Sequence, residues 1–255
     1  MMGKKYLFLI VLTAVSFNGF PQLGSPADYL GRELGSRFTH HHEVAGYFRM
    51  LDGSSDLMTL IPYGTTIENR PLFIAIISSE KNLQDIEKIR NKNLSLAGLE
   101  ADNSPGIQNK VIVWLSFNVH GDEASSTEAA METAWQLTAG PKESRNNWLE
   151  NTIVIIDPCL NPDGRERYVS WYEQIAGDEY NPDPLTEEHH QSWPGGRGNH
   201  YYFDLNRDWS WVTQKETESR IRIYNDWLPQ VHVDFHEQGI NNPYYFAPAA
   251  PPYHQ

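Results

Sequence analysis

The sequence predicts an α/β protein on a central sheet that is mixed or mainly parallel. Two observations carry this. The run Val111–Phe117 is nearly continuously apolar, as a strand covered on both faces must be, and 152–156 and Val231–Phe235 read as further buried strands. Between them stand segments of helical periodicity, the order expected when helices return the chain for the next strand.

Taken in order, the chain opens with Lys4 and Lys5, the apolar run 6–15 and a small, polar stretch at 16–19. A positive start, an apolar core too short to span a bilayer and small residues after it make a secretory signal peptide. Residues 1–22 are therefore predicted to be a leader, cut near Ala14-Val15-Ser16, and the protein to be secreted or periplasmic. No cysteine near the cut invites a lipid anchor, and no later run predicts a stable membrane span. Residues 25–51 look helical and include His40-His41-His42. Three adjacent histidines point in different directions on a helix, so they read as solvated surface, not as one metal site.

Strands follow at 57–63 and 71–78, then a charged helix at 81–92 and a surface connection at 94–108. Ser125 with Glu128 three residues later reads as a capping box. The helix that follows carries Ala130, Met131, Ala134, Trp135 and Leu137 and stops at Gly140-Pro141. A last helix is expected at 215–228. The polar segment 177–200, punctuated by proline and glycine, is a long loop of the kind that often carries function.

Composition excludes some classes. An apolar fraction of 40% with 12% aromatic residues belongs to a globular protein, not a low-complexity one. The 20 lysines and arginines against 33 acids give −13, with no basic patch, so nucleic acid is not a partner; the acidity reads as solubility. Cys159 is the one cysteine, so no intrachain disulfide forms, and its apolar setting predicts a buried, inert thiol.

Chemistry concentrates just past the strand ends. His120 and Glu123 follow the strand ending at Phe117, and His236 follows the one ending at Phe235. Ligands in open α/β sheets bind beyond the carboxyl ends of strands, so the two clusters can converge across the long stretch of chain between them. Two imidazoles and one carboxylate form a catalytic zinc set with one position left open. Alone, a His-x-x-Glu pair is a weak signal, and Asn161-Pro162-Asp163-Gly164 alone is just a turn.

Together with Arg197 in a glycine-rich loop and Asp204-Leu205-Asn206-Arg207, in this order along the chain, they resemble the zinc carboxypeptidase family, closest to its regulatory-type branch. The resemblance covers roughly residues 64–236. It implies a sheet with helices on both faces, and one zinc ion held by His120, Glu123 and His236. Asn206 and Arg207 would grip the terminal carboxylate of a peptide, which suits a guanidinium's two parallel hydrogen bonds. Arg197 would stabilise the oxyanion of the scissile carbonyl, and Asp204 would orient the first histidine ligand. The implied substrates are peptide or protein C-termini.

One part of the pattern is missing. The family's general-base glutamate lies on a late strand, whereas the last glutamate here is Glu237, beside a ligand. Residues 23–255 are thus expected to be the N-terminal part of a catalytic domain that continues further, lacking its last strands and helices, with poor activity by itself. Two other readings share the metal set: an amidase or deacylase on a non-peptide or cell-wall substrate, and an inert module that binds zinc and peptide termini.

Overall fold

The computed structural model describes residues 24–101, 104–177 and 179–239. The expected leader at 1–22 and the residues from 240 onward lie outside them. One five-stranded sheet organises the chain, with strands β1 (Met58–Thr65), β2 (Pro71–Ile77), β3 (Val111–Phe117), β4 (Thr152–Asp157) and β5 (Val231–Phe235) in the order β1-β2-β4-β3-β5. The sheet is mixed. β1–β2 and β2–β4 are antiparallel; β4–β3 and β3–β5 are parallel.

Helices α1 (Pro26–Leu30), α2 (His41–Asp52), α3 (Glu80–Gln84), α4 (Ile86–Leu96), α5 (Ser125–Ala139), α6 (Lys142–Asn151), α7 (Pro162–Ile175) and α8 (Lys215–Trp227) complete the described chain. Side chains alternate across a strand, and β2 shows the consequence. Phe73, Ala75 and Ile77 pack with Val44, Phe48 and Leu51 of α2 and Met131 of α5, while Ile74 and Ile76 pack on the other face with Trp114, Ile89 of α4 and Trp227 of α8. Burial on both faces is why the strands read as unbroken apolar runs. β5 departs from that expectation: Val231, Val233 and Phe235 are 44%, 37% and 37% exposed among the described residues. None of the described helices is long and apolar enough to cross a membrane.

Several local expectations are corrected. The helix expected over 25–51 is two helices, because Gly31 and Gly35 take left-handed φ of 66° and 83° and turn the chain between them. The helix expected over 81–92 breaks at Asp85, and α4 runs on to Leu96. α6 and α7 were not legible in the sequence. The turn at Asn161-Pro162-Asp163-Gly164 is the start of α7, with the Asn161 side chain accepting from the Gly164 amide and proline in the first turn. The capping box does not form: Glu128 points into the interior, where it accepts from the Thr39 amide and hydroxyl and from Arg165.

His41 is not solvated surface either. It is 2% exposed, its Nε2 lies 2.9 Å from the Pro71 carbonyl oxygen, and its Nδ1 has no partner among the described residues. Burial lowers its pKa from 6.5 to about 4. The folded state therefore needs the neutral ring, while the unfolded chain takes up a proton near pH 6.5. The stability His41 contributes is present above pH 6.5 and is lost as pH falls towards 4, on the order of 3 kcal/mol. Urea unfolding at pH 7 and pH 4.5 should show a smaller drop for His41→Gln than for the parent.

Candidate metal centre

Register brings the pieces together. Ser116 pairs with Asp157 and with Asp234, and Phe117 with Phe235, so β3, β4 and β5 end level. The three loops that leave them carry His120, Asn161 and His236. Asn118, just past β3, adopts a left-handed φ of 59°, which asparagine tolerates better than most residues. Its Nδ2 donates to the carbonyls of His120 (2.6 Å) and Glu123 (2.9 Å), folding the His-x-x-Glu turn around one amide.

The loops cross backbone against backbone. A Cβ on Gly121 would come within 2.2 Å of the Gly164 carbonyl carbon and 2.5 Å of the Gly196 oxygen, so only glycine fits there. This explains why three motifs with glycine meet at one place.

The carboxylate of Glu123 stands between two imidazoles. Its Oε1 lies 2.7 Å from His120 Nδ1 and its Oε2 3.0 Å from His236 Nδ1. Each ring is held from behind: His120 Nε2 is 3.1 Å from Asp204 Oδ1, and His236 Nε2 is 3.2 Å from Asp234 Oδ2. Ligand atoms of His120, Glu123 and His236 all fall within 4.8 Å of one another. Burial opposes charge on Glu123, but hydrogen bonds from His120 and His236 outweigh it and bring the carboxylate down to about 2. Hydrogen bonds to Asp234 and Glu123 push His236 up to about 10, against burial. Asp234 and Glu123 thus hold positive charge on His236, and a metal ion would compete with the proton for its nitrogen.

Arg197 borders the set, its Nη2 3.2 Å from Asp204 Oδ2 and its Nη1 3.7 Å from Glu123 Oε1. Its loop is pinned by Asn161, from a motif the sequence singled out, and by Arg167, which it did not single out. Asn161 Nδ2 donates to the Arg197 carbonyl, and Arg167 on α7 donates to the carbonyls of Gly195, Gly198 and Asn199. Asp204 also accepts from the Asn206 amide, starting the tight turn Leu205–Arg207. Burial raises the pKa of Asp204, but the charges of His120 and Arg197 outweigh it and hold the carboxyl below its ordinary range. The Arg207 side chain is exposed and makes no hydrogen bond or ion pair among the described residues, while its backbone amide donates to the Asp204 carbonyl. Its neighbour Asp208 is taken up by Thr213 and Gln214. Glu237 is committed elsewhere: its Oε1 accepts from the Ser125 amide (2.8 Å), the Ser125 hydroxyl (2.6 Å) and the Ser126 amide (3.2 Å), doing at the start of α5 what the capping box was expected to do.

Beneath the turn, Arg165 is fully buried and donates to Thr39, Asn118, Ala124 and Glu128, tying α7 and α5 to the His120 loop. Arg165→Met would leave the Glu128 carboxylate buried without a cation, so a loss of about 3–5 kcal/mol is expected in urea unfolding. A second cluster, Glu68, Asp163 and His200, also brings ligand atoms within 4.8 Å of one another. There Arg70 Nη1 lies 2.6 Å from both Glu68 Oε2 and Asp163 Oδ1, so a cation already answers the two carboxylates. Cys159 is buried, and burial pushes its thiol up to about 12, as an inert residue requires.

A zinc carboxypeptidase family model matches residues 47–230, well over half of the chain. The chain belongs to the zinc carboxypeptidase family. The match stops before β5, so His236 lies outside it and stands beside Glu123 on geometry alone. Carboxypeptidase D of Mus musculus is 28% identical over 139 residues, 51% of this chain and 9% of the relative. Among solved structures, the carboxypeptidase A from Helicoverpa armigera is 18% identical with a TM-score of 0.49, covering 79% of this chain and 46% of its own. Bovine thrombin-activatable fibrinolysis inhibitor, solved in complex with tick carboxypeptidase inhibitor, is 13% identical with a TM-score of 0.48, covering 79% and 61%. The chain thus spans less than two thirds of each of these relatives.

Proposed function

We propose that this zinc carboxypeptidase family member is a zinc-dependent exopeptidase that removes residues from the C-termini of peptides or proteins. The observation that carries the reading is the convergence of two imidazoles, from separate strand ends, on one carboxylate, with the Arg197 guanidinium, paired with Asp204, at the same rim. The donor set suits a single zinc ion held by His120, Glu123 and His236. Bound zinc supplies Lewis acidity and lowers the pKa of water.

The chain's own groups do the rest. Asp204 holds His120 in the orientation that turns Nδ1 inward. Arg197 stabilises negative charge on the carbonyl oxygen of the scissile bond. Asn206 and Arg207 receive the substrate's terminal carboxylate, which fixes the last peptide bond against the metal set. Four carboxylates around the ligands already have partners: Glu123 the two histidines, Asp204 His120 and Arg197, Asp234 His236, and Glu237 the start of α5. None of these four is assigned the role of the base that accepts the water's proton. Export by the leader at 1–22, to a secreted or periplasmic location, belongs to the same reading; its support is the composition of residues 4–19 alone.

The test uses the zinc-loaded protein carried to its natural stop codon. An N-blocked dipeptide with a free C-terminus should be hydrolysed, and its C-terminal amide should not, with turnover lost to a chelator. Equal turnover of both would favour the amidase or deacylase reading. Bound zinc without turnover of either would make the protein an inert binding module.

A further inference from the structure

We infer that Asp234 is a positioning residue for His236 and that the buried Arg220 on α8 is the cation that holds Asp234 in place. The inference rests on His236 being a metal ligand, and adds to it a second aspartate–histidine pair anchored from a different helix.

Three observations support it. Asp234 Oδ2 lies 3.2 Å from His236 Nε2, so the ring's other nitrogen, Nδ1, is the one turned to Glu123. This repeats on β5 what Asp204 does for His120, and a partner behind a ligating imidazole fixes both its tautomer and its orientation. Secondly, register sets Asp157 and Asp234 on either side of Ser116, and residues paired across a sheet share a face. The Ser116 hydroxyl is already engaged by His232 and by the Trp114 indole, so it does not serve either aspartate.

Thirdly, Arg220 is 1% exposed and its guanidinium lies 4.0 Å from the centre of the Trp209 ring, which packs at 5.5 Å on His232, two residues before Asp234 on the same strand face. Its Nε and Nη2, like Asp234 Oδ1, make no hydrogen bond among the described residues. Burial works against the arginine's charge; Tyr63, Asp157 and Asp234 favour it. Besides its stacking on Trp209, such a buried cation is favoured by nearby carboxylate charge, which acts over longer distances in a low-dielectric interior than in water. Tyr63 donates to both oxygens of Asp157, at 3.1 and 3.0 Å, and so fixes that carboxylate. The charges acting on Arg220 thus include one anchored acid, Asp157, and one acid that faces a metal ligand, Asp234, besides Asp208.

Zinc affinity, measured by competition with a chromophoric chelator, tests this together with the cobalt(II) absorption spectrum and urea unfolding of the metal-free protein. Asp234→Asn should weaken zinc about 10–100-fold and shift the cobalt spectrum, with the metal-free urea midpoint held. Arg220→Met should weaken zinc in the parent but add little in the Asp234→Asn background, since it acts through Asp234. Arg220→Lys, which keeps the charge, should recover part of the loss and covers the case in which the methionine variant fails to fold. Zinc affinity of Asp234→Asn within about 2-fold of the parent would overturn the inference, because an outer-shell partner is worth more than that. Fully additive losses for the two substitutions would overturn the role of Arg220. A parent protein that binds no zinc would instead overturn the reading of His236 as a ligand.

Discussion

Glu123→Gln is expected to strip the protein of tightly bound zinc. The carboxylate is the one group that touches both histidines, through Oε1 to His120 and Oε2 to His236. An amide keeps the shape but turns an acceptor into a donor and removes the negative charge that offsets a divalent ion. It also loses the acceptor for the Glu237 amide at 3.1 Å, which helps hold the segment after β5. Losing a direct ligand should cost more than the ~10–100-fold typical of an outer partner. Zinc at about 100 times its dissociation constant should stabilise the parent by about 2.7 kcal/mol, and the variant by far less. Thermal unfolding with and without zinc reads this directly. His120→Ala and His236→Ala should behave alike, whereas His232→Ala, whose ring bonds Ser116, should keep the zinc-dependent shift.

Arg207→Ala should abolish the preference for a free C-terminus while leaving the fold intact. The side chain is exposed and makes no hydrogen bond or ion pair among the described residues, so the folded state has little to lose. A substrate carboxylate, by contrast, would lose its bidentate partner. Truncating one side of a desolvated charge pair costs about 2–5 kcal/mol, or roughly 30–5,000-fold in kcat/KM for the free-acid substrate. The C-terminal amide, already a poor substrate, should change little. Arg197→Ala would differ in kind: an oxyanion donor acts in the transition state, so kcat should fall with KM less affected. The ratio of free-acid to amide turnover in the protein carried to its natural stop codon separates the two arginines.

The sheet and the convergence of His120, Glu123 and His236 were legible for the same reason. Strands covered on both faces show as continuous apolar runs, and groups that act at strand ends must follow those runs directly, so His120, Glu123 and His236 announce themselves. What stayed hidden depends on contacts between distant segments. Glu128 has the spacing of a capping residue, and nothing local reveals that Arg165 and Thr39 claim its carboxylate. The same concealment covers Glu237, which replaces it at the start of α5 from 112 positions away. Asn118 left a faint signal, an asparagine just past a buried strand where a left-handed turn is cheap for that residue. Arg167 and Asp234 left none, since an arginine on a helix and an aspartate in a strand take their meaning from the loop or ring they face. α7 was missed because Pro162 and Gly164 read as a turn, although Asn161 and Pro162 together also make a helix start.

The central claim is that His120, Glu123 and His236 hold one zinc ion. X-ray absorption at the zinc edge of the loaded protein tests it most directly. Two imidazole nitrogens at about 2.0–2.1 Å with a carboxylate oxygen at a similar distance are expected, at one zinc per chain, and that signature should vanish in Glu123→Gln. A spectrum without histidine scattering, or one unchanged in the variant, would contradict the account.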